Sequence, residues 1–314
     1  MPDNQPALLD TITLHNTLEQ MQNLKSGSIS DKKFIEIIKK LTEDQFNQIN
    51  REFYLQNKTS ISQFIIDIIK DQATEDLCLA VLAPKYYIWS KSIHISFLDL
   101  LNNSDLLITA ILSLDIIDLF KVKQQYKLQF KTDLVEDFNS FIQGHSFWQQ
   151  LLRQWITRDT PGVVSSRFSV EKDAKALDLA TKGSGTDIEI YVNIFTTSTT
   201  TEFKDIILNY ENLVGVTFKK SLEDEFLTDS LDYYAAMLVT ERLRSPEALT
   251  EFIFSYCFTE KNGDKPMLNF LISMFKDKVD LSKIKGAQSK IKQQINPIQA
   301  GNYQNAVLSF FGFK

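Results

Sequence analysis

At 314 residues, with 43% hydrophobic and 24% charged side chains, the chain has the composition of a folded protein large enough to bury a substantial core. A formal net charge of −6 excludes a general nucleic-acid binder, because no polycationic footprint is present. Contact with an anionic surface would therefore need a bridging cation.

The opening stretch MPDNQPALLD has no basic segment followed by an apolar core, so no signal peptide is expected. Apolar runs such as LLITAIL are too short to span a bilayer. The expected location is cytoplasmic, with any membrane contact peripheral. From residue 34 onward the apolar spacing is helical: Phe34, Ile37, Ile38, Leu41, Phe46, Ile49 and Phe53 advance in steps of three, four and their sums. Seven prolines in the whole chain and no sustained period-two run make all-α the expected class.

The pattern then repeats. Ile37, Ile38, Phe46, Ile49, Phe53 and Ile61 return as Ile111, Leu112, Leu119, Val122, Tyr126 and Leu134, and again as Ile194, Phe195, Phe203, Ile206, Tyr210 and Phe218. A fainter fourth copy runs through Leu271, Ile272, Leu281 and Ile284. Self-similarity at a fixed period marks a repeated supersecondary unit, and a period of roughly 73 residues holds about five helices of average length. The expected organisation is a short tail at 1–4 and units at 5–84, 85–160, 168–243 and 244–314. A linker at 161–167 lies inside RDTPGVVSSRFS, where proline, glycine and serine cluster. Cys78 and Cys257 fall in apolar helical patterns and read as small buried hydrophobes in a reduced setting.

Within the third unit, KGSGTDIE places two of the chain's ten glycines one residue apart, between the helical patterns EKDAKALDLA and DIEIYVNIF. Thr186 is positioned as an N-cap, with Glu189 completing a capping box. The glycines then occupy a tight interhelical turn where positive φ or close backbone approach is tolerated. Such a turn explains them with no ligand at all. Alternatively, the carbonyls of Thr181, Gly183 and Gly185 turn outward together as hard oxygen ligands suited to calcium.

The run KGSGTD, followed by IFTTSTTTEFKDIILNYENLVG and SLEDEFLTDSLDYYAAML, resembles an annexin repeat, and the fourfold period matches the annexin plan. The resemblance covers essentially the whole chain, through KQQYKLQF and QWITRDTP in the second unit and GNYQNAVLSFFG in the fourth. It implies four repeats of about five helices in a curved disc with calcium loops on one face. It also implies that the loop carbonyls of Thr181, Gly183 and Gly185 share Ca2+ with a bidentate acid about 42 residues after the first glycine, a position that falls on Glu225. Three neutral carbonyls and one carboxylate leave the ion unsatisfied, so a phosphate of an anionic phospholipid membrane is the implied partner.

The other loops depart from the pattern. KSGSISD has Ser26 and Ser28 at the glycine positions, and Ile68 or Ile69 at the acid position with Asp67 and Asp71 nearby. LDLLNNSD has no glycine and Phe141 near the acid position. TEKNGDKP has Glu260 and Asn262 for the glycines and Ile298 near the acid position. This loop decay and an Asn-, Ile- and Lys-rich composition are similar to protist annexins of the alpha-giardin group, which associate with membranes and the flagellar cytoskeleton. The competing expectation is a calcium-independent cytoskeletal or protein scaffold using the lysine-rich stretch 276–292. No catalysis is expected: His15, His94 and His145 have no metal-pair spacing and read as surface or helix-face residues, and no P-loop, GxGxxG or GxSxG elbow is present. Among the acids near Glu225, Glu223, Asp224, Asp229 and Asp232 read as an ordinary solvated face.

Overall fold

The structure, a computed structural model, describes residues 8–25, 31–158, 169–182, 187–259, 264–295 and 302–313. Described residues are helical with no strand, and they form two compact units. Unit 1 comprises Met1–Ile88 and Phe254–Lys314, and unit 2 comprises Trp89–Ile253. The first and fourth repeats thus supply most of unit 1, and the second and third most of unit 2.

Repeat I runs α1 (Thr11–Lys25), α2 (Asp31–Ile38), α3 (Glu43–Asn57), α4 (Ile61–Ile68) and α5 (Gln72–Leu82). Repeat II follows with α6 (Lys85–Leu98), α7 (Leu100–Leu112), α8 (Ile116–Phe130), α9 (Leu134–Phe141) and α10 (Phe147–Ile156). Repeat III has α11 (Val170–Lys182), α12 (Ile188–Thr197), α13 (Thr200–Val214), α14 (Phe218–Glu225) and α15 (Leu231–Arg244). Repeat IV has α16 (Pro246–Tyr256), α17 (Lys265–Phe275), a 3-10 turn (Leu281–Lys283), α18 (Ala287–Gln294) and α19 (Tyr303–Phe310).

The recurring apolar positions are the core. Every one is buried except Ile37, which is half-buried. Capping recurs with the same register: Thr42, Asp115 and Thr199 accept N–H bonds at the starts of α3, α8 and α13, and Ser60, Asp133 and Thr217 do so for α4, α9 and α14. These bonds satisfy orphan donors of a helix's first turn. The third helix of each of the first three repeats stops at a left-handed residue, Lys58, Lys131 or Gly215, which turns the chain toward the fourth helix.

Repeat IV differs. Only residues 276–286 separate α17 from α18, too few for a fifteen-residue helix like α3, α8 or α13, and the third helix shrinks to the 3-10 turn. Gly286, at φ 71°, keeps the left-handed position just before α18. The basic stretch 276–292 is accordingly divided among turn, 3-10 turn and α18.

Within each unit the second helix of one repeat packs on the fifth helix of the other, reciprocally: α2 on α19 and α17 on α5 in unit 1, α7 on α15 and α12 on α10 in unit 2. Cys78 and Cys257 are buried thiols. The expected linker at 161–167 lies outside the described residues.

Candidate functional site

Three helix starts, those of α10, α12 and α15, meet at one end of unit 2. Trp148 N–H, in the first turn of α10, donates to Asp232 Oδ1 in the first turn of α15 at 2.9 Å. Phe147, the first residue of α10, packs against Tyr191 in the first turn of α12 and against Phe226 just ahead of α15, with ring centroids 6.2 and 5.0 Å apart. Along α7 and α15, Thr109 Oγ1 lies 2.5 Å from Tyr234 Oη, and Arg242 Nη2 donates to Leu114 O at 3.1 Å. These two helices therefore run parallel.

Helix α12, which follows the glycine loop in sequence, starts at this end. Its last preceding helix, α11, finishes at Lys182, and Thr181 sits half-buried in the final turn with its hydroxyl donating to Asp178 O at 2.9 Å. The final carbonyls of a helix lie outside its own ladder, so this turn supplies acceptors. Gly183 and Gly185 lie outside the described residues, as does Thr186. Asp187 N–H donates back to Ala180 O at 3.4 Å, and in repeat IV Asp264 N–H donates to Cys257 O at 2.8 Å across the same seven-residue span. The N-cap of α12 is Asp187, which makes no side-chain capping bond.

Glu225 is the half-buried last residue of α14. Its carboxylate reaches α12 electrostatically: burial pushes the Tyr191 phenol well up, and Tyr210 and Glu225 add to that shift. Helix α12 is the one that begins directly after the glycine loop. The equivalent position in repeat II reports the geometry directly, because α9 ends at Phe141, whose ring stacks on Phe97 of α6 at 5.5 Å. By the repeat register Phe97 corresponds to Ala180, next to Thr181. In repeat II the last residue of the fourth helix thus faces the last turn of the first.

Helix ends also set the acid register of the remaining repeats. Helix α4 ends at Ile68 and α18 at Gln294. Counting to Ile298 overshoots in repeat IV because most of the third helix is missing, and Ile298 itself lies outside the described residues. Loop residues Ser26, Ser28, Glu260 and Asn262 are also outside them. The LDLLNNSD loop is described: α7 kinks at Asn103, Asn102 Nδ2 donates to both carboxylate oxygens of Asp99 at 3.0 Å, and Asn103 Nδ2 donates to Asp99 O at 3.2 Å.

Sequence reasoning missed three groups near the site. Asp232 couples α10 to α15 instead of serving only as a solvated acid. Asp178 is 7% exposed, forms an ion pair with Lys182 at 2.6 Å and leaves Oδ1 buried without a hydrogen-bond partner. His94 Nδ1 lies 2.9 Å from the Tyr126 hydroxyl, which donates to Asp137 Oδ2 at 2.7 Å, so this histidine belongs to a polar network. Only Asp232 carried a local signal, as an acid in a helix's first turn. By contrast, Glu223 and Asp224 pair with Lys219 and Lys220 on α14, as a solvated face does. A polar cleft of about 590 Å³ opens between α10 and α12, lined among others by His145, Arg153, Asp187, Glu189 and Asn193. Among the described residues no group of three or more His, Cys, Asp or Glu side chains converges on a metal position, and no helix is long and apolar enough to cross a membrane.

No family model matches the chain. In sequence it is similar to annexin A5 of Cynops pyrrhogaster, 24% identical over 287 residues that cover 88% of this chain and 87% of that protein. It is similar to giardin subunit alpha-4 of Giardia intestinalis, 23% identical over 69% of this chain and 70% of that one. The fold matches chicken annexin V solved in complex with Zn2+ (TM-score 0.81, 17% identity, 98% of both chains) and calcium-bound alpha-14 giardin (TM-score 0.79, 18% identity, 96% and 99%). The chain is similar to annexins in sequence and shares their fold. In this chain only repeat III combines the paired glycines with an acid at the end of the fourth helix; Ile68, Phe141 and Gln294 hold that register elsewhere.

Proposed function

We propose that this protein binds anionic phospholipid surfaces through Ca2+ held in repeat III, by the carbonyls of Thr181, Gly183 and Gly185 and the carboxylate of Glu225. The observation that carries the reading is the position of Glu225: it closes α14, acts on Tyr191 in the first turn after the glycine loop, and takes the register of Phe141, which touches the end of its own first helix. A single carboxylate with neutral carbonyls makes a low-charge oxygen site, weak for the ion alone and completed by a lipid phosphate. Ion and lipid then raise each other's affinity by the same factor. The cleft beside α12 offers both signs of charge next to the loop for a headgroup. That alpha-14 giardin, of the same fold, was solved calcium-bound supports the choice of ion.

The lysine-rich stretch 276–292 is the weaker anchor. Lys276 pairs with Asp277 at 3.0 Å, Lys283 with Asp280 at 3.4 Å, and Lys290 lies 6.0 Å from the Phe254 ring centroid. Cosedimentation with phosphatidylserine vesicles and with microtubules, each with calcium and with chelator, tests the proposal. Calcium-dependent vesicle pelleting is expected. Equal pelleting with chelator, or pelleting with microtubules alone, would transfer the function to the scaffold reading.

A further inference from the structure

Tyr191 carries a hydroxyl where the other repeats have none. In the register that aligns Ile37, Ile111, Ile194 and Leu271, Tyr191 corresponds to Phe34, Ile108 and Leu268, and all four of these side chains are buried. The one polar atom in the set thus belongs to the one repeat whose fourth helix ends in an acid, since Ile68, Phe141 and Gln294 close the others. Burial of an apolar face explains phenylalanine, isoleucine and leucine here. It does not explain the phenol.

Tyr191 Oη is buried and has no hydrogen-bond partner. Around the ring stand Phe147, Phe195 and Phe226, with centroids 6.2, 6.1 and 5.8 Å away, and none of these rings offers an acceptor oxygen. Phe226 directly follows Glu225, so the phenol lies beside the end of α14. Burial first, then Tyr210 and Glu225, push the phenol up, which places those two side chains within electrostatic reach of the hydroxyl. Of the two, only the carboxylate is a charged acceptor, and a hydrogen bond to a charged group is roughly twice as strong as one between neutral groups. A buried donor left unpaired carries its full desolvation cost. A turn of the Glu225 side chain toward this hydroxyl relieves that cost.

We infer that Tyr191 is a positioning residue for the repeat III site, whose hydroxyl donates to the Glu225 carboxylate when that carboxylate turns to hold Ca2+. The inference rests on the repeat III reading above. A carboxylate has about four lone-pair positions on its two oxygens, so it can face an ion and still accept from the phenol. Partners of this kind fix the orientation of a metal-binding carboxylate and raise affinity for the ion.

Tyr191→Phe keeps the ring and removes the hydroxyl. Its cosedimentation with phosphatidylserine vesicles is expected to need about tenfold more calcium than wild type. In chelator the same variant should unfold at the wild-type temperature or above it, because the group removed is unpaired. A tyrosine that served only the core would show the opposite pair of results, a lower melting temperature and unchanged calcium dependence. Tyr210→Phe should keep wild-type calcium dependence, and a loss there equal to that of Tyr191→Phe overturns the inference. Wild-type calcium dependence in Tyr191→Phe alongside its loss in Glu225→Gln overturns the inference and leaves the repeat III reading standing. Wild-type dependence in Glu225→Gln removes that reading and this inference with it, whatever Tyr191→Phe does. A lowered melting temperature of Tyr191→Phe in chelator also overturns the inference, because the hydroxyl is then paired without the ion.

Discussion

Trp148 N–H donates to Asp232 Oδ1 at 2.9 Å, so the first turn of α10 in repeat II is capped by a carboxylate from the first turn of α15 in repeat III. The bond satisfies an orphan donor of α10 from outside its own repeat, and it places a negative charge where the positive ends of two helix dipoles meet. Asp232→Ala should destabilise unit 2 by about 1–2 kcal/mol, and Asp232→Asn by less, because the amide oxygen still accepts. Urea denaturation of the three proteins measures the order.

Lys58 and Lys131 hold φ of 57° and 64°, where repeat III places Gly215 at 79°. A left-handed lysine costs roughly 1 kcal/mol relative to glycine, partly offset by the greater freedom glycine has in the unfolded chain. Lys131→Gly should therefore stabilise by about 0.5 kcal/mol, seen as a higher denaturation midpoint. A Gly215→Ala change should cost about 1 kcal/mol from φ alone, because the added Cβ meets nothing within 4 Å.

Tyr126 is fully buried; it donates to Asp137, and His94 approaches it at 2.9 Å. Tyr126→Phe removes a donor to a carboxylate that keeps Thr132 Oγ1 at 2.9 Å. The expected loss is about 1.5–3 kcal/mol, the range for a hydrogen bond to a charged group. Chemical denaturation measures it, and a Thr132→Val background should enlarge it, since Asp137 then loses both partners.

Periodicity made the fold legible because the same buried face recurs three times with nearly constant spacing, and a fully helical chain expresses burial directly as steps of three and four. Repeat IV was harder to read for a physical reason: Leu281 and Ile284 persist as core residues while the helix that would carry them is reduced to a 3-10 turn, so counting beyond them slips and lands on Ile298 instead of Gln294. Glu225 is proposed from the spacing to the glycine loop, which matches the expected one only in repeat III. Asp232 and Asp178 could not be read this way, since their partners are set by packing: Trp148 lies 84 residues away, and the burial of Asp178 depends on how α11 packs.

Glu225→Gln should abolish most calcium-dependent vesicle binding if repeat III is the anchor, because the one full negative charge assigned to the ion is removed and only carbonyl dipoles remain. The replacement is nearly isosteric and the side chain half-buried, so stability should change by no more than about 0.5 kcal/mol. Sedimentation over a calcium titration, paired with thermal melts, reads both. Retention of wild-type calcium dependence in a folded variant would remove Glu225 from the site.

Acid stability should report a contact inside unit 1. Lys39 Nζ donates to Glu36 Oε1 at 2.6 Å and to Ser309 Oγ at 3.2 Å, and Ser309 Oγ–H donates to Glu36 Oε1 at 2.7 Å, joining α2 to α19. These bonds, Lys39 first and Ser309 second, hold the Glu36 carboxyl below its ordinary value of 4.5. A carboxyl lowered on folding contributes stability above its unfolded value, and that contribution is lost as pH falls through the folded value. The Glu36 side chain is 41% exposed, so solvent screening limits the effect to about 0.5 kcal/mol. Glu36→Gln should therefore lower stability slightly at pH 7, and the difference from wild type should vanish once the pH lies well below 4.5. Urea melts from pH 7 to pH 3 measure it, and a gap that widens on acidification would assign the contact the wrong sign.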